Sequence, residues 1–194
     1  MATSGGAPRR LVVALSGSTG PHYGVRLLEV MRQHRPDVEI HLILSAAARK
    51  TIAFEMGREP DQVASLAHVV HDERNVGASI ASGTFVTDGM VVVPCSIKSL
   101  SAIANSYNDN LIARAADVCL KERRKLVLVV RETPLHLGHL RLMTRAAEIG
   151  AIIFPPAPAF YRQPQTVDEI VDDTVGRVLA RVGLDNDLYA RWKE

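Results

Sequence analysis

The sequence predicts a parallel α/β sheet covered by helices on both faces. Short runs rich in Leu, Val and Ile recur at Leu11–Leu15, Glu39–Leu44, Met90–Val93, Leu126–Val130 and Ala151–Phe154. Most are continuously apolar rather than alternating, as in strands buried on both sides. Between them lie segments with helical spacing, and strand–helix alternation is the pattern of a parallel sheet.

The elements follow in order. Leu11–Leu15 ends in the turn Ser16-Gly17-Ser18-Thr19-Gly20, and Tyr23–Gln33 then carries apolar residues at helical spacing. After Glu39–Leu44, Ser45 is placed as N-cap of a helix from Ala46 to about Glu55, because its hydroxyl can accept from a free first-turn N–H. Arg58–Ala67 is read as a further short helix, and Val69–Thr87, polar and rich in Gly and Ser, as partly extended. Met90–Val93 is read as a strand stopped by Pro94, which cannot donate to a ladder. Ser96–Ala104 and Asn110–Glu122 read as helices, the latter running into the cations Lys121, Arg123, Arg124 and Lys125, which suit a helix C-terminus. Thr133-Pro134 resembles an N-cap and first-turn proline for a helix to about Glu148. Pro155–Pro164 holds four of the ten prolines and is a loop; Thr166–Val182 is the last helix.

With 194 residues the chain is the size of one domain and long enough to bury a core without staples. We divide it into a flexible N-terminus (1–9), one domain (10–185) and a C-terminal tail (186–194). A hydrophobic fraction of 47% excludes disorder, and 5% aromatics excludes a cage of many rings. The 23 basic and 21 acidic residues nearly cancel, which suits a small anionic ligand and argues against nucleic acid. Cys95 and Cys119 form no disulfide framework, so a reducing cytoplasm is expected. The run Leu11–Leu15 is too short for a signal-peptide core, and no run approaches a membrane span.

Ligands of open parallel sheets bind beyond the carboxyl ends of the strands. Those segments are Ser16–Gly20, Ser45, Cys95–Ser99, Arg131–Thr133 and Pro155–Arg162. Hydroxyls, backbone N–H groups and helix starts there make an anion site. The first loop is not GxGxxG, and no acid follows the second strand, so a dinucleotide is disfavoured and a mononucleotide phosphate suits better. Alternatively the loop is an ordinary tight turn. Cys95 reads as a small buried filler, since no histidine is paired with it in sequence, and Cys119 as core. Arg131 and Glu132 either form a capping ion pair or face a ligand. His136 and His139, three apart, lack a third metal ligand, and no metal is expected.

The stretches SGSTGPHYGVRLLE, GMVVVPCSIKSLSAIANSYNDNLIARAADVCLKERRKLVLVVRETPLHLGHL and IIFPPAPAFYRQPQ together resemble the UbiX-type flavin prenyltransferases, formerly described as aromatic acid carboxy-lyases. The resemblance runs from about Arg10 to Asp185. It implies a three-layer Rossmann-like or flavodoxin-like fold assembled as trimers and dodecamers, and a metal-free enzyme. That enzyme joins the dimethylallyl group of dimethylallyl phosphate to N5 and then C6 of reduced FMN. The product, prenylated FMN, serves a UbiD-type decarboxylase.

By this resemblance Gly17, Ser18, Thr19, Ser45, Ser96, Ile97, Lys98, Ser99 and Arg131 bind the flavin. Tyr161, Arg177 and Lys121 hold the substrate phosphate, and Glu132 and Glu55 complete the catalytic set, Glu55 on a less distinctive match. The first loop departs from the family's GASG: Thr19 replaces a serine, keeping the hydroxyl but adding a stiffening methyl, which bears on rate rather than binding. Lys121 and Arg177 would stabilise the charge developing on a departing phosphate, and Tyr161 would donate to it. A flavin nucleophile also explains why no Ser–His or Cys–His arrangement is present. The rivals are a cysteine-residue decarboxylase, whose substrate loop RETPLHLGHL does not match, an FMN-binding accessory subunit of a hydroxyarylic acid decarboxylase, and an FMN carrier without transferase activity.

Overall fold

The computed structural model describes residues 9–189. The expected N-terminal segment, apart from Arg9, and residues 190–194 of the expected tail lie outside the described residues. Six strands form one sheet: β1 (Arg9–Leu15), β2 (Val38–Leu44), β3 (Val69–His71), β4 (Gly89–Cys95), β5 (Lys125–Val130) and β6 (Ile152–Ile153). Their spatial order is β3-β2-β1-β4-β5-β6, and every pairing is parallel. The seven helices are α1 (Pro21–His34), α2 (Ala46–Met56), α3 (Pro60–Ala64), α4 (Ile97–Ala104), α5 (Leu111–Lys121), α6 (Leu137–Glu148) and α7 (Val167–Arg181). The α/β fold with a parallel sheet under two helical layers is as expected.

Strand periodicity divides the core in two. Leu11, Val13 and Leu15 of β1, with Ile40, Leu42 and Leu44 of β2, pack against α1, α2 and α7. Val12 and Ala14, with Met90, Val92, Leu126 and Leu128, face α4, α5 and α6. Alternate residues of one strand thus serve opposite layers, which is why the strands read as unbroken apolar runs.

The structure corrects several expected boundaries. Pro94 does not stop the fourth strand: β4 continues to Cys95. A register irregularity between Val92 and Cys95 relieves the ladder of the missing N–H, so a proline is accommodated in a central strand. Thr133-Pro134 does not start α6; the cap is His136, whose Nδ1 accepts from the Gly138 N–H at 3.0 Å. That satisfies the same orphan donor a threonine would, one turn later. The helix expected over Arg58–Ala67 is confined to Pro60–Ala64, and the strand expected over Ala151–Phe154 to Ile152–Ile153. Within the unclear stretch, Val69–His71 is extended and Ser79–Ala81 forms a 3-10 turn. The expected cap Ser45 accepts from a first-turn N–H, and Ser96, Asn110 and Thr166, read as the first residues of their helices, prove to be caps that do the same. Residues of the expected tail that are described do pack: Asn186 Nδ2 donates to the Gly176 carbonyl at 2.9 Å. No described helix is long and apolar enough to cross a membrane.

Helix α1 lies close to the sheet because it carries Gly24. A Cβ there would sit 2.3 Å from the Val93 carbonyl oxygen and 2.7 Å from Leu15 Cγ. Helix propensity favours alanine over glycine by ~1 kcal/mol. A backbone oxygen in a central strand cannot step aside, however, so overpacking at about 1–3 kcal/mol wins. Gly24→Ala is expected to lower the urea midpoint of unfolding; an unchanged or raised midpoint would refute the close-approach argument.

Candidate active site

The strand order reverses direction between β1 and β4, which opens a crevice at their carboxyl ends. Ser16 spans this point. It is buried, its N–H and hydroxyl both donate to the Pro94 carbonyl (3.2 and 2.9 Å), and its Oγ accepts from the Ser96 N–H at 2.7 Å. The loop after β1 is thereby tied to the loop after β4. Ser18 extends the tie to β5, its hydroxyl donating to the Arg131 carbonyl at 2.9 Å.

Glu55 holds the same loop from the other side. Its Oε2 accepts from the Thr19 hydroxyl at 3.0 Å and from the Gly20 N–H at 2.9 Å. Gly20, the cap of α1, has φ 85°, a left-handed conformation that glycine adopts without Cβ strain. Gly17 is required for space: a Cβ there would come 2.2 Å from the Ala47 Cβ. The first loop thus presses against α2, whose cap Ser45 is fixed in turn by its N–H donating to the Leu15 carbonyl at 3.1 Å.

Beside this loop opens a cavity of about 600 Å³, within the range of small-molecule sites. Thr19, Gly20 and Tyr23 form one wall, Arg131 and Glu132 another, and Pro155, Pro156 and Pro158 a third. Arg131 makes no ion pair with any described residue, so its cation is available to an anionic ligand. The ion pair with Glu132, one of two expectations, is not formed; Glu132 Oε1 instead accepts from the Thr133 N–H at 2.9 Å. Burial pushes the Tyr23 phenol up, and the nearby Arg131 cation holds it back.

Ser96 caps α4, with its Oγ 3.3 Å from both the N–H and the hydroxyl of Ser99. Ile97 packs its side chain into the core beneath, leaving its backbone as the part able to face a ligand. Lys98 is exposed, beside a groove formed with Ser101, Asn105 and Tyr107. Cys95 is fully buried, its thiol pushed up to about 12, and Cys119 likewise to about 11; both act as core, as their sequence context predicts. Among the described residues no group of three metal-ligating side chains converges. The ring centroids of His136 and His139 lie 3.6 Å apart with the planes inclined by 32°.

One chain therefore gathers Gly17, Ser18, Thr19, Ser45, Glu55, Ser96–Ser99, Arg131 and Glu132 at one edge of the sheet. It does not bring Lys121 there. Lys121 ends the helix that precedes β5, at the amino edge of the sheet, where its ammonium pairs with Glu122. Tyr161 and Arg177 do not line the cavity. Tyr161 sits in an exposed 3-10 turn, Phe160–Arg162, and Arg177 lies on α7 with its guanidinium over the Phe154 ring at 5.6 Å. Sequence reasoning missed Ser16 and Tyr23 as single residues. The signal for both was positional: the residue directly after the first strand and the first inward turn of the following helix.

Residues 4–179 match the family model described as Flavoprotein. The chain is 58% identical over 187 residues to the flavin prenyltransferase UbiX of Escherichia coli K12, covering 95% of this chain and 98% of that one. Its fold superposes on AnUbiX (PadA1), solved in complex with FMN and dimethylallyl pyrophosphate, with TM-score 0.92, 47% identity, and coverage of 96% and 98% of the two chains. It also superposes on a dodecameric FMN-dependent UbiX-like decarboxylase from Escherichia coli O157:H7, with TM-score 0.92, 46% identity, and coverage of 95% and 100%. Related along almost its whole length to these proteins, the chain with this glycine-relieved loop and these hydroxyl-capped helix starts belongs to the flavoprotein family and, within it, to the UbiX flavin prenyltransferases.

Proposed function

We propose that this protein joins the dimethylallyl group of dimethylallyl phosphate to reduced FMN, releasing prenylated FMN for a UbiD-type decarboxylase. The observation that carries the reading is the cavity in which the unpaired Arg131, the Glu55-anchored first loop and a proline wall meet at the switch point of the sheet. The residues fit FMN. The site offers three helix starts and several hydroxyls to a phosphate, and a volume suited to a flat heteroaromatic ring. When bound, reduced FMN supplies the nucleophilic N5 and C6 positions.

The chain's own residues then have separable tasks. Gly17, Ser18, Thr19, Ser45 and the Ser96–Ser99 turn orient the flavin, and Arg131 neutralises negative charge beside it. Glu55 fixes Thr19 and Gly20, so the first loop needs no rearrangement as ligand arrives. Pro155, Pro156 and Pro158 have no N–H, so they present an apolar wall suited to an allyl group. As the allylic C–O bond breaks, the charge growing on the leaving phosphate needs preorganised cations. Arg177, Lys121 and the Tyr161 hydroxyl are assigned that task, with Glu132 beside them.

Lys121 lies at the opposite edge of the sheet from the cavity of its own chain, so it reaches a phosphate only at the site of a second copy. This supports a homo-oligomer larger than a dimer, trimer-based and dodecameric like its Escherichia coli relative. Leu137 and Leu140 on α6, Leu135 before it and Phe160 are exposed in the single chain, and their burial would drive assembly. Two unbridged, buried cysteines support residence in the cytoplasm.

Incubating the protein with reduced FMN and dimethylallyl phosphate, and in parallel with the pyrophosphate, is expected to yield a flavin heavier by one C5 unit. FMN binding without a new flavin species would identify a carrier instead. Arg177→Ala is expected to lower catalytic efficiency on the order of 100-fold, at ~1.4 kcal/mol per tenfold, while FMN affinity stays unchanged. Loss of both to the same extent, or of neither, contradicts its assignment to the phosphate. Cys95→Ser is expected to keep most of the activity, since its thiol is held protonated and buried away from any reactant; abolished turnover in a folded, FMN-loaded variant would make it a participant.

A further inference from the structure

Asp173, on α7, is the one carboxylate that the described residues bury in the interior, with 9% of its surface exposed. A buried charge of this kind is costly unless cations compensate it. Two do. Arg162 Nη1 stands 2.8 Å from Asp173 Oδ1, and Arg177 Nη1 stands 3.8 Å from Oδ2. The first contact has ion-pair distance without hydrogen-bond alignment, so Oδ1 makes no hydrogen bond.

The two arginines come from different parts of the chain. Arg162 closes the exposed turn that carries Tyr161, its guanidinium 5.7 Å from the centre of that ring and 5.8 Å from the ring of Tyr189. Arg177 is one helical turn beyond Asp173 and rests on Phe154. The neighbouring Asp172 is occupied by Arg26 in a two-pronged pair at 2.6 and 3.1 Å, leaving Asp173 to serve this cluster. Asp173 is therefore the point where the proline-rich segment and the last helix are joined electrostatically. A cavity of about 340 Å³, lined by Ala159, Arg162, Pro164 and Asp173 among others, opens beside it.

We propose that Asp173 is a positioning residue for prenyl transfer: it orients Arg177 and, through Arg162, the turn bearing Tyr161, so that both meet the leaving phosphate already aligned. This rests on the reading that Tyr161 and Arg177 hold that phosphate. Long arginine side chains lose up to ~2 kcal/mol of rotamer freedom when fixed. Held from within by Asp173 and Phe154, Arg177 has met part of that cost before substrate arrives. Its pair is long enough to leave most of its five donors for the phosphate. One carboxylate against two guanidiniums also leaves the cluster net positive.

Removing the charge while keeping the shape has opposed effects. Asp173→Asn disorders both arginines but raises the local positive charge. Binding of inorganic phosphate is therefore expected to stay within about threefold of wild type, and FMN affinity to be unchanged. The kcat for prenyl transfer is expected to fall about tenfold, because alignment counts most where charge develops. Arg162→Met, which cuts the tether to the Tyr161 turn from its more accessible side, is expected to reproduce the kcat loss and serves if the first variant fails to fold. An unaffected kcat in the folded variant, or an equal loss of kcat, phosphate affinity and FMN affinity, overturns the inference. Wild-type protein that binds FMN yet makes no prenylated flavin overturns the transferase reading itself.

Discussion

Much of the site hangs on the hydroxyl of Ser16. Parallel strands end without turns joining them, so the carboxyl ends of β1 and β4 have no covalent reason to stay in register where the strand order diverges. Ser16 supplies the link, donating to the Pro94 carbonyl and accepting from the Ser96 N–H. Together with Ser18, which donates to the Arg131 carbonyl, it ties the first loop to the α4 cap and the end of β5. A buried, fully used hydroxyl is costly to lose, since its removal strands both a carbonyl and an N–H.

The electrostatic character of the crevice follows from how its helices are capped. Ser45 satisfies its own helix and still carries a hydroxyl proton, whereas Ser96 caps α4 and passes its proton to Ser99 Oγ at 3.3 Å. Helix α1 is capped differently: Gly20 has no side chain, and a distant carboxylate, Glu55, takes its N–H. The same carboxylate fixes the Thr19 hydroxyl. Thr19, where this chain departs from the family's usual serine, is thus held by another element.

Buried charge is used sparingly. Arg131 faces a cavity without a protein partner, whereas Asp173 is withdrawn and compensated by two arginines. Strands β2 and β3, at one end of the sheet, hold a different polar cluster. His41 Nδ1 and His71 Nε2 are 2.9 Å apart, and burial pushes both imidazoles down, which keeps them neutral beside the Arg10–Glu39 pair. Arg131 is therefore a cation that lines the cavity with no ion-pair partner among the described residues.

How much was legible in the chain alone varied with the range of the interaction. Continuous apolar runs at Leu11–Leu15 and Leu126–Val130 revealed strands covered on both faces, because strand periodicity and burial are local consequences of composition. A hydroxyl directly after the second strand marked the cap at Ser45, since capping reaches only three residues. Pro94 misled, because whether a central strand tolerates a proline depends on the register of its neighbour rather than on the proline. Thr133-Pro134 misled because a histidine can fill a cap. The partner of Thr19 is 36 residues away and that of Ser18 is 113 away; no spacing rule joins them. Lys121 shows the limit most plainly. The family resemblance assigns it to the phosphate, whereas the topology sets it at the far edge of its own sheet, because a helix that returns to start a parallel strand must end opposite the strand's carboxyl end. Elements and caps were determined by local sequence; which loops meet, and which charge is left unpaired to meet a ligand, was decided by tertiary structure, where partners are chosen by distance in space.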